Sequence, residues 1–208
     1  MKRCLAFAAL FAIATSSAPA IANPGEFSRD RARLERGEQV SYAQVEDIHG
    51  RHYVGGVAYA ILDATPEQFF DILEDTNAWE AVLPKTKYAT RVASEKNEER
   101  VELHQGNALV DATYTLHLVR EPENRRVRFW LDLSRPHTID DAWGFFRYDV
   151  VSKPGEPSRL LVSYGALVDV GPGILRELYE NRLHIAMLTV PERLRAYVDR
   201  SKKIALPA

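Results

Sequence analysis

Few residues in this chain combine the type and the spacing that chemistry demands. The six histidines stand at positions 49, 52, 104, 117, 137 and 184, with no HExxH pair and no paired cysteines, so no metal-ligand pattern is present. His49 and His52 flank Gly50-Arg51, a turn where exposure alone accounts for both. No GxSxG elbow is available to activate a serine. Neither Walker-type nor GxGxxG spacing occurs, and Gly55-Gly56 falls inside a strand run, where a bulge or a close backbone approach explains it. Asp140 and Asp141 are candidates for acid–base work, although adjacent residues usually point apart. His184 is a third, because its helix should face a sheet; the plainer account is a partly buried histidine satisfied by hydrogen bonds. Trp130, Asp132, His137, Asp140, Asp141 and Trp143 gather aromatic and titratable groups around one long loop, a candidate polar end for a pocket. No metal and no cofactor is expected.

The bulk properties narrow the field further. The 208 residues carry 27 Lys+Arg against 29 Asp+Glu, with 46% apolar residues and 10% aromatics. This is the balance of a globular chain that can bury a core without disulfides or a structural metal. A formal charge of −2 gives no electrostatic footprint for nucleic acid, and none is expected as a partner. Residues 1–22 run from Lys2-Arg3 through an apolar stretch, Leu5 to Ala14, to small residues ending Ala20-Ile21-Ala22, the anatomy of a cleaved secretory signal. The apolar stretch is too short to span a bilayer. Cleavage near Ala22 would remove the only cysteine, Cys4, and leave a net charge of −4. A periplasmic or secreted location follows from that reading.

The elements that must position any site are readable from period and punctuation. Residues 23–39 are a polar lead-in with at most a short helix over Ser28–Arg36, followed by a domain over 40–201 and a tail over 202–208. Val40–Ile48 and His52–Leu62 read as a hairpin. Thr65-Pro66 starts a helix whose apolar stripe holds Phe69, Phe70, Ile72 and Leu73, and a second short helix runs from Asn77 to Leu83, stopped by Pro84. Six further strands are expected at Tyr88–Ala93, Arg100–Gln105, Asp111–Arg120, Arg126–Leu133, Trp143–Ser152 and Arg159–Val168, each bounded by turn chemistry. Ala112, Tyr114, Leu116 and Leu118 alternate with Thr113, Thr115 and His117, while Val127, Phe129, Leu131 and Leu133 oppose Arg126, Arg128 and Asp132. That is the alternation of an antiparallel sheet with one buried face. From Ile174 to about Ser201 the period is helical, with Pro191 kinking or splitting it. The fold class is α+β: a curved antiparallel sheet, two short early helices, and a long C-terminal helix over the apolar face.

A family resemblance rests on two segments within this order. Ala64-Thr65-Pro66-Glu67-Gln68-Phe69-Phe70-Asp71-Ile72-Leu73 and Thr76-Asn77-Ala78-Trp79-Glu80-Ala81-Val82-Leu83-Pro84 sit between a hairpin and a meander that ends in a helix led by Gly171-Pro172-Gly173. The whole, over about residues 40–200, resembles the START-like superfamily, also called SRPBCC, and within it the polyketide cyclase/dehydrase and coenzyme Q-binding branch. The resemblance implies a helix-grip fold with an apolar cavity between sheet and helix, holding a lipid, sterol, quinone or polyketide-like molecule. On the short helices, the lining expected from it is Phe69, Leu73, Trp79 and Leu83. The strands would add Val101, Leu103, Tyr114, Leu116, Phe129, Leu131, Phe145 and Tyr164, and the long helix Ile174, Leu178, Ile185 and Leu188.

Three functions compete on these grounds. The first is an exported binding or transfer protein for a hydrophobic small molecule or lipid, a monomer without catalysis, gated by the loops Ser134–Ala142 and Val168–Gly173. The second is a cyclase or hydratase with His184 or Asp140/Asp141 as base. The third is a filled-core interaction domain. Arg193, Arg195, Arg200, Lys202 and Lys203 make the chain end basic, which suits either transient contact with anionic headgroups or a helix C-terminus alone.

Overall fold

Local chemistry sets each element boundary. The structure, a computed structural model, describes residues 24–106, 111–172 and 174–205, and of residues 24–29, 174–179, 181 and 205 it describes the backbone alone. The signal reading over 1–22 and residue Gly173 lie outside that range. The chain divides into two units, one ending at Arg31 and one from Ala32 onward. The lead-in forms a helix, α1 (Pro24–Glu35), longer than the polar sequence suggests. In the second unit, β1 (Val40–Ile48) and β2 (Arg51–Leu62) join through His49 and Gly50, both at positive φ, 52° and 78°, the turn geometry that follows strand twist. α2 (Pro66–Glu74) begins with a capping box in which Thr65 and Gln68 satisfy each other's backbone amides, and Pro66 takes the first turn. Asp75 caps α3 (Thr76–Val82).

Six strands follow as a meander: β3 (Thr86–Glu95), β4 (Glu98–Gly106), β5 (Asp111–Glu121), β6 (Arg126–Leu131), β7 (Asp141–Val150) and β8 (Leu160–Asp169). β8 returns to pair with β2, giving one antiparallel sheet in the order β1-β2-β8-β7-β6-β5-β4-β3. Two helices close the chain, α4 (Ile174–Leu188) and α5 (Val190–Ala205). The expected α+β arrangement is therefore present. One face of the sheet, here the inner face, carries the core: Leu62, Val101, Leu103, Leu118, Val127, Phe146 and Val162 meet Phe69 and Trp79 of the short helices and Val190, Leu194 and Val198 of α5.

The alternation fails in β6. The strand ends at Leu131, Asp132 is buried and Leu133 is 61% exposed, the reverse of the expected pattern. Asp132 is buried on the outer-parity side, where its carboxylate has four donors or charges around it. Ser134 donates its hydroxyl and amide to Oδ1 at 2.5 and 3.0 Å, Arg100 donates to Oδ2 at 2.9 Å, and Arg135 stands 3.9 Å away. The Ser134 hydroxyl first, then the Ser134 amide and Arg100, hold the Asp132 carboxyl below its usual range against the cost of burial.

Pro191 splits the C-terminal helix, as its missing donor requires. The break is bridged by one residue from the far end of the fold. The Gln39 side chain donates to the Leu188 carbonyl at 2.7 Å and accepts from the Glu192 amide at 3.0 Å, so it satisfies an orphan at the end of α4 and another at the start of α5. Replacing Gln39 by Ala should cost about 1–2 kcal/mol, two net hydrogen bonds' worth. Chemical denaturation would measure it; an unchanged midpoint would show that water serves both helix ends equally well.

Candidate functional site

The inner face is built from strand residues of one parity, and one row across it holds only small residues. Cross-strand partners place Ala43, Gly56, Ala166 and Gly144 in one row across β1, β2, β8 and β7. The next row along β2 and β8 holds Ala58 opposite Tyr164, which pairs in turn with Phe146. Glycine is required at Gly56: φ is 144°, and a Cβ there would lie 2.1 Å from the Tyr42 carbonyl oxygen. Of the two accounts open for Gly55-Gly56, close backbone approach is the right one, since β1–β2 and β2–β8 keep an unbroken register. At Gly144 a Cβ would meet the Phe129 ring at 2.4 Å, so that ring leans over the strand into space that a side chain would otherwise take.

Around this centre the polar groups are few. The Tyr114 hydroxyl donates to Gln105 Oε1, and Gln105 donates onward to Thr86 Oγ1 at 2.9 Å. Burial pushes the Tyr114 and Tyr164 phenols up, Tyr164 further through its neighbour Tyr114, so both remain protonated. The Tyr164 ring packs at 4.8 Å from Phe146 and 6.3 Å from Phe129, centroid to centroid.

At one end of the inner face, beneath the C-terminus of α2, Phe70, Leu73, Leu118 and Val127 line a small cleft of about 20 Å³, room for roughly one water. Its rim is charged. Arg120 pairs with Glu74 and lies over the Phe70 ring, while Arg91 pairs with Glu99 at 3.2 Å and caps the Glu74 carbonyl. Burial raises the Glu99 carboxyl above its ordinary value, with Arg91 opposing and the charge of Glu74 adding to the rise.

The expected lining residues divide. Phe69, Leu73, Trp79, Val101, Leu103, Leu116, Phe129, Leu131, Tyr164 and Leu188 are buried, and Leu83 and Tyr114 pack against the same core. Trp79 is fixed by its indole N–H, which donates to the Leu73 carbonyl at 2.9 Å. Two expectations are not met. Phe145 lies on the outer face against Gly165, and Phe146 takes the inner position; Ile185 is 69% exposed. The side chains of Ile174 and Leu178 lie outside the described residues.

The acid–base candidates do not converge. His184 accepts the Gln44 amide at Nε2, 3.2 Å, which commits that nitrogen to the β1 edge. Asp141 accepts from the Tyr53 hydroxyl at 2.7 Å and from its following amide at 2.8 Å, whereas Asp140 is exposed beside Gly171. Tyr53, pushed up to about 12 mainly by burial and then by Asp141, stays a donor. Trp130 and Trp143 face each other across β6 and β7 with the parity of Phe145, on the outer face, so this loop does not supply a polar end to the inner face. The loop itself is tied down: Thr138 exchanges hydrogen bonds with Thr113, Asp140 donates to the Asp169 carbonyl, and Ile139 is buried. Among the described residues no group of three or more His, Cys, Asp or Glu side chains is arranged to hold a metal ion.

Comparison with known proteins places the fold. No protein-family model and no curated protein matches the sequence. Among solved structures, a STAR-related lipid transfer protein from Xanthomonas axonopodis superposes with a TM-score of 0.60 at 15% identity, over 76% of this chain and 98% of that one. A START superfamily protein from Mycobacterium smegmatis gives 0.53 at 13% identity, over 69% and 96%. The di-domain ARO/CYC StfQ from the steffimycin biosynthetic pathway gives 0.51 at 8% identity, over 86% and 56%. The fold is START-like, with the helix-grip arrangement of sheet and C-terminal helices.

The cleft makes a pH prediction. Glu99 titrates higher in the folded chain than in the unfolded one, where about 4.3 is usual. Its contribution to stability is therefore full below the unfolded value and lost as pH rises through the folded one. Measured against Glu99→Gln by urea midpoints, the native sequence should gain relative stability from neutral pH down to about pH 4. A relative loss over that range would place Glu99 in a strong ion pair instead.

Proposed function

We propose that this chain is an exported protein that binds or transfers a hydrophobic small molecule between the sheet and its C-terminal helices. The START-like fold supports hydrophobic-ligand binding as a class. The observation that carries the reading for this chain is the row Gly56, Ala166 and Gly144, buried positions on three adjacent strands that hold nothing larger than a methyl group. Small residues at the centre of an apolar, concave surface are the arrangement that leaves volume for a ligand. Residues 1–22 support export, and the commitment of His184 and Asp141 to structural hydrogen bonds favours carriage over catalysis.

Native mass spectrometry of the protein purified from its own host, followed by organic extraction, should release one apolar molecule per chain. Ala166→Leu, which fills the row, should weaken uptake of an environment-sensitive apolar dye by about tenfold or more while the far-UV spectrum is kept. A chain that purifies empty and takes up no dye would leave a filled-core interaction domain as the better account.

A further inference from the structure

α5 carries a face that the core does not use. Val190, Leu194 and Val198, each about one turn from the next, are buried and hold the helix to the body. Turned away from that side are Arg193, Ala196, Arg200, Lys203 and Ile204, and all five are exposed. At 3.6 residues per turn they fall within an arc of about 100° and form a row about 16 Å long. Ile204 is 86% exposed, more than any other large apolar side chain described.

The charge of this row is of one sign and is not neutralised within the chain. On the sheet the arginines are matched: Arg126 and Arg128 share Glu121, Arg91 meets Glu99, and Arg120 meets Glu74. On α5, Arg193 donates only to Thr189 Oγ1 of the turn before it, at 3.2 Å, and among the described residues Arg200 and Lys203 form no ion pair. The acids of the helix, Glu192 and Asp199, lie beyond the edge of the row, on the flank that leads round to Lys202. Of the other basic residues of the chain end, Arg195 is committed to the Gly37 carbonyl. Attraction to the helix dipole acts within the last turn, so it accounts neither for Arg193 nor for an aliphatic side chain held in water.

We propose that this face of α5 is a docking surface for an anionic phospholipid bilayer, with Arg193, Arg200 and Lys203 on the headgroup phosphates and Ile204 entering the headgroup layer. A convex row of long cationic side chains around one aliphatic tip suits a headgroup layer, where the stems lie along apolar surface and the charges stay at the phosphates. It lacks the pocket and the aromatic anchor on which protein interfaces concentrate their energy. The helix lies along the surface; among the described residues no helix is long and apolar enough to cross a membrane. Such docking is independent of what the inner face binds.

Protein purified from its own host is sedimented with vesicles of phosphatidylcholine, alone or with about 30% phosphatidylglycerol. It should bind the anionic vesicles at least about tenfold more tightly, and about 0.5 M NaCl should abolish the difference. Arg200→Gln/Lys203→Gln should weaken binding to the anionic vesicles by about twentyfold, roughly fivefold for each cation near the surface. Lys96→Gln/Lys153→Gln removes the same charge from two exposed turns and should change it by less than about twofold. Ile204→Ser should weaken it by about threefold to tenfold. Every substituted position is exposed, circular dichroism checks that each variant is folded, and apolar-dye uptake should be the same in all of them. Equal affinity for neutral and anionic vesicles, or equal losses in the two double variants, would overturn the docking face, and unchanged binding of Ile204→Ser would overturn the apolar contact. No binding to either vesicle would overturn both, and retention on immobilised polyglutamate in that case would reassign the face to an acidic protein.

Discussion

A single C-terminal helix cannot pass Pro191 with an intact hydrogen-bond ladder, and the fold depends on how that break is held. Gln39 stands immediately before β1, and its one amide group bonds the last turn of α4 and the first turn of α5. The bend is thereby fixed to the sheet, and the two halves take different tasks. α4 lies against β1 and β2, where His184 accepts an amide of the edge strand and Glu180 meets His52. α5 lies against β2 and β8 and packs on α3. One straight helix would cover only one of these tracts.

Charge is sorted with equal consistency. The inner face is apolar at its centre, and the ion pairs lie at its α2 end, beside α4 where His52 meets Asp47 and Glu180, and on the outer surface, where exposed pairs individually contribute little. Asp132 is the exception, a buried carboxylate, but it is satisfied by Ser134 and Arg100 and terminates β6. Between these pairs the polar groups toward the core include the Tyr114 and Tyr164 phenols and the Gln105 amide.

The elements were legible because local chemistry encodes them. The capping box at Thr65, the His49-Gly50 turn and the break at Pro191 each act within a few residues, so type and spacing suffice. The facing of β7 was not legible, because Phe145-Phe146 puts one aromatic on each side and a period of two cannot say which is inward. The inner assignment of Phe146 is decided by its pairing with Tyr164, a contact remote in sequence. Ile185 fits the helical stripe of the sequence yet is exposed, because α4 is applied to the edge of the sheet rather than its middle. The reversal at Asp132 and Leu133 depends on Arg100, from another strand.

The pairing of β2 with β8 joins residues such as Val54 and Val168, more than a hundred positions apart, and it lies inside the sheet, between its second and third strands. Every other strand pair joins neighbours in the chain. Loop-closure entropy makes the long-range contact the slow one, so the hairpin and the meander are able to assemble as separate pieces before it forms. The species that accumulates ahead of that step has two open strand edges and half of its apolar floor in water, the form most open to aggregation or to capture by a chaperone. Closing the inner face of the sheet and completing the fold are thus a single kinetic event.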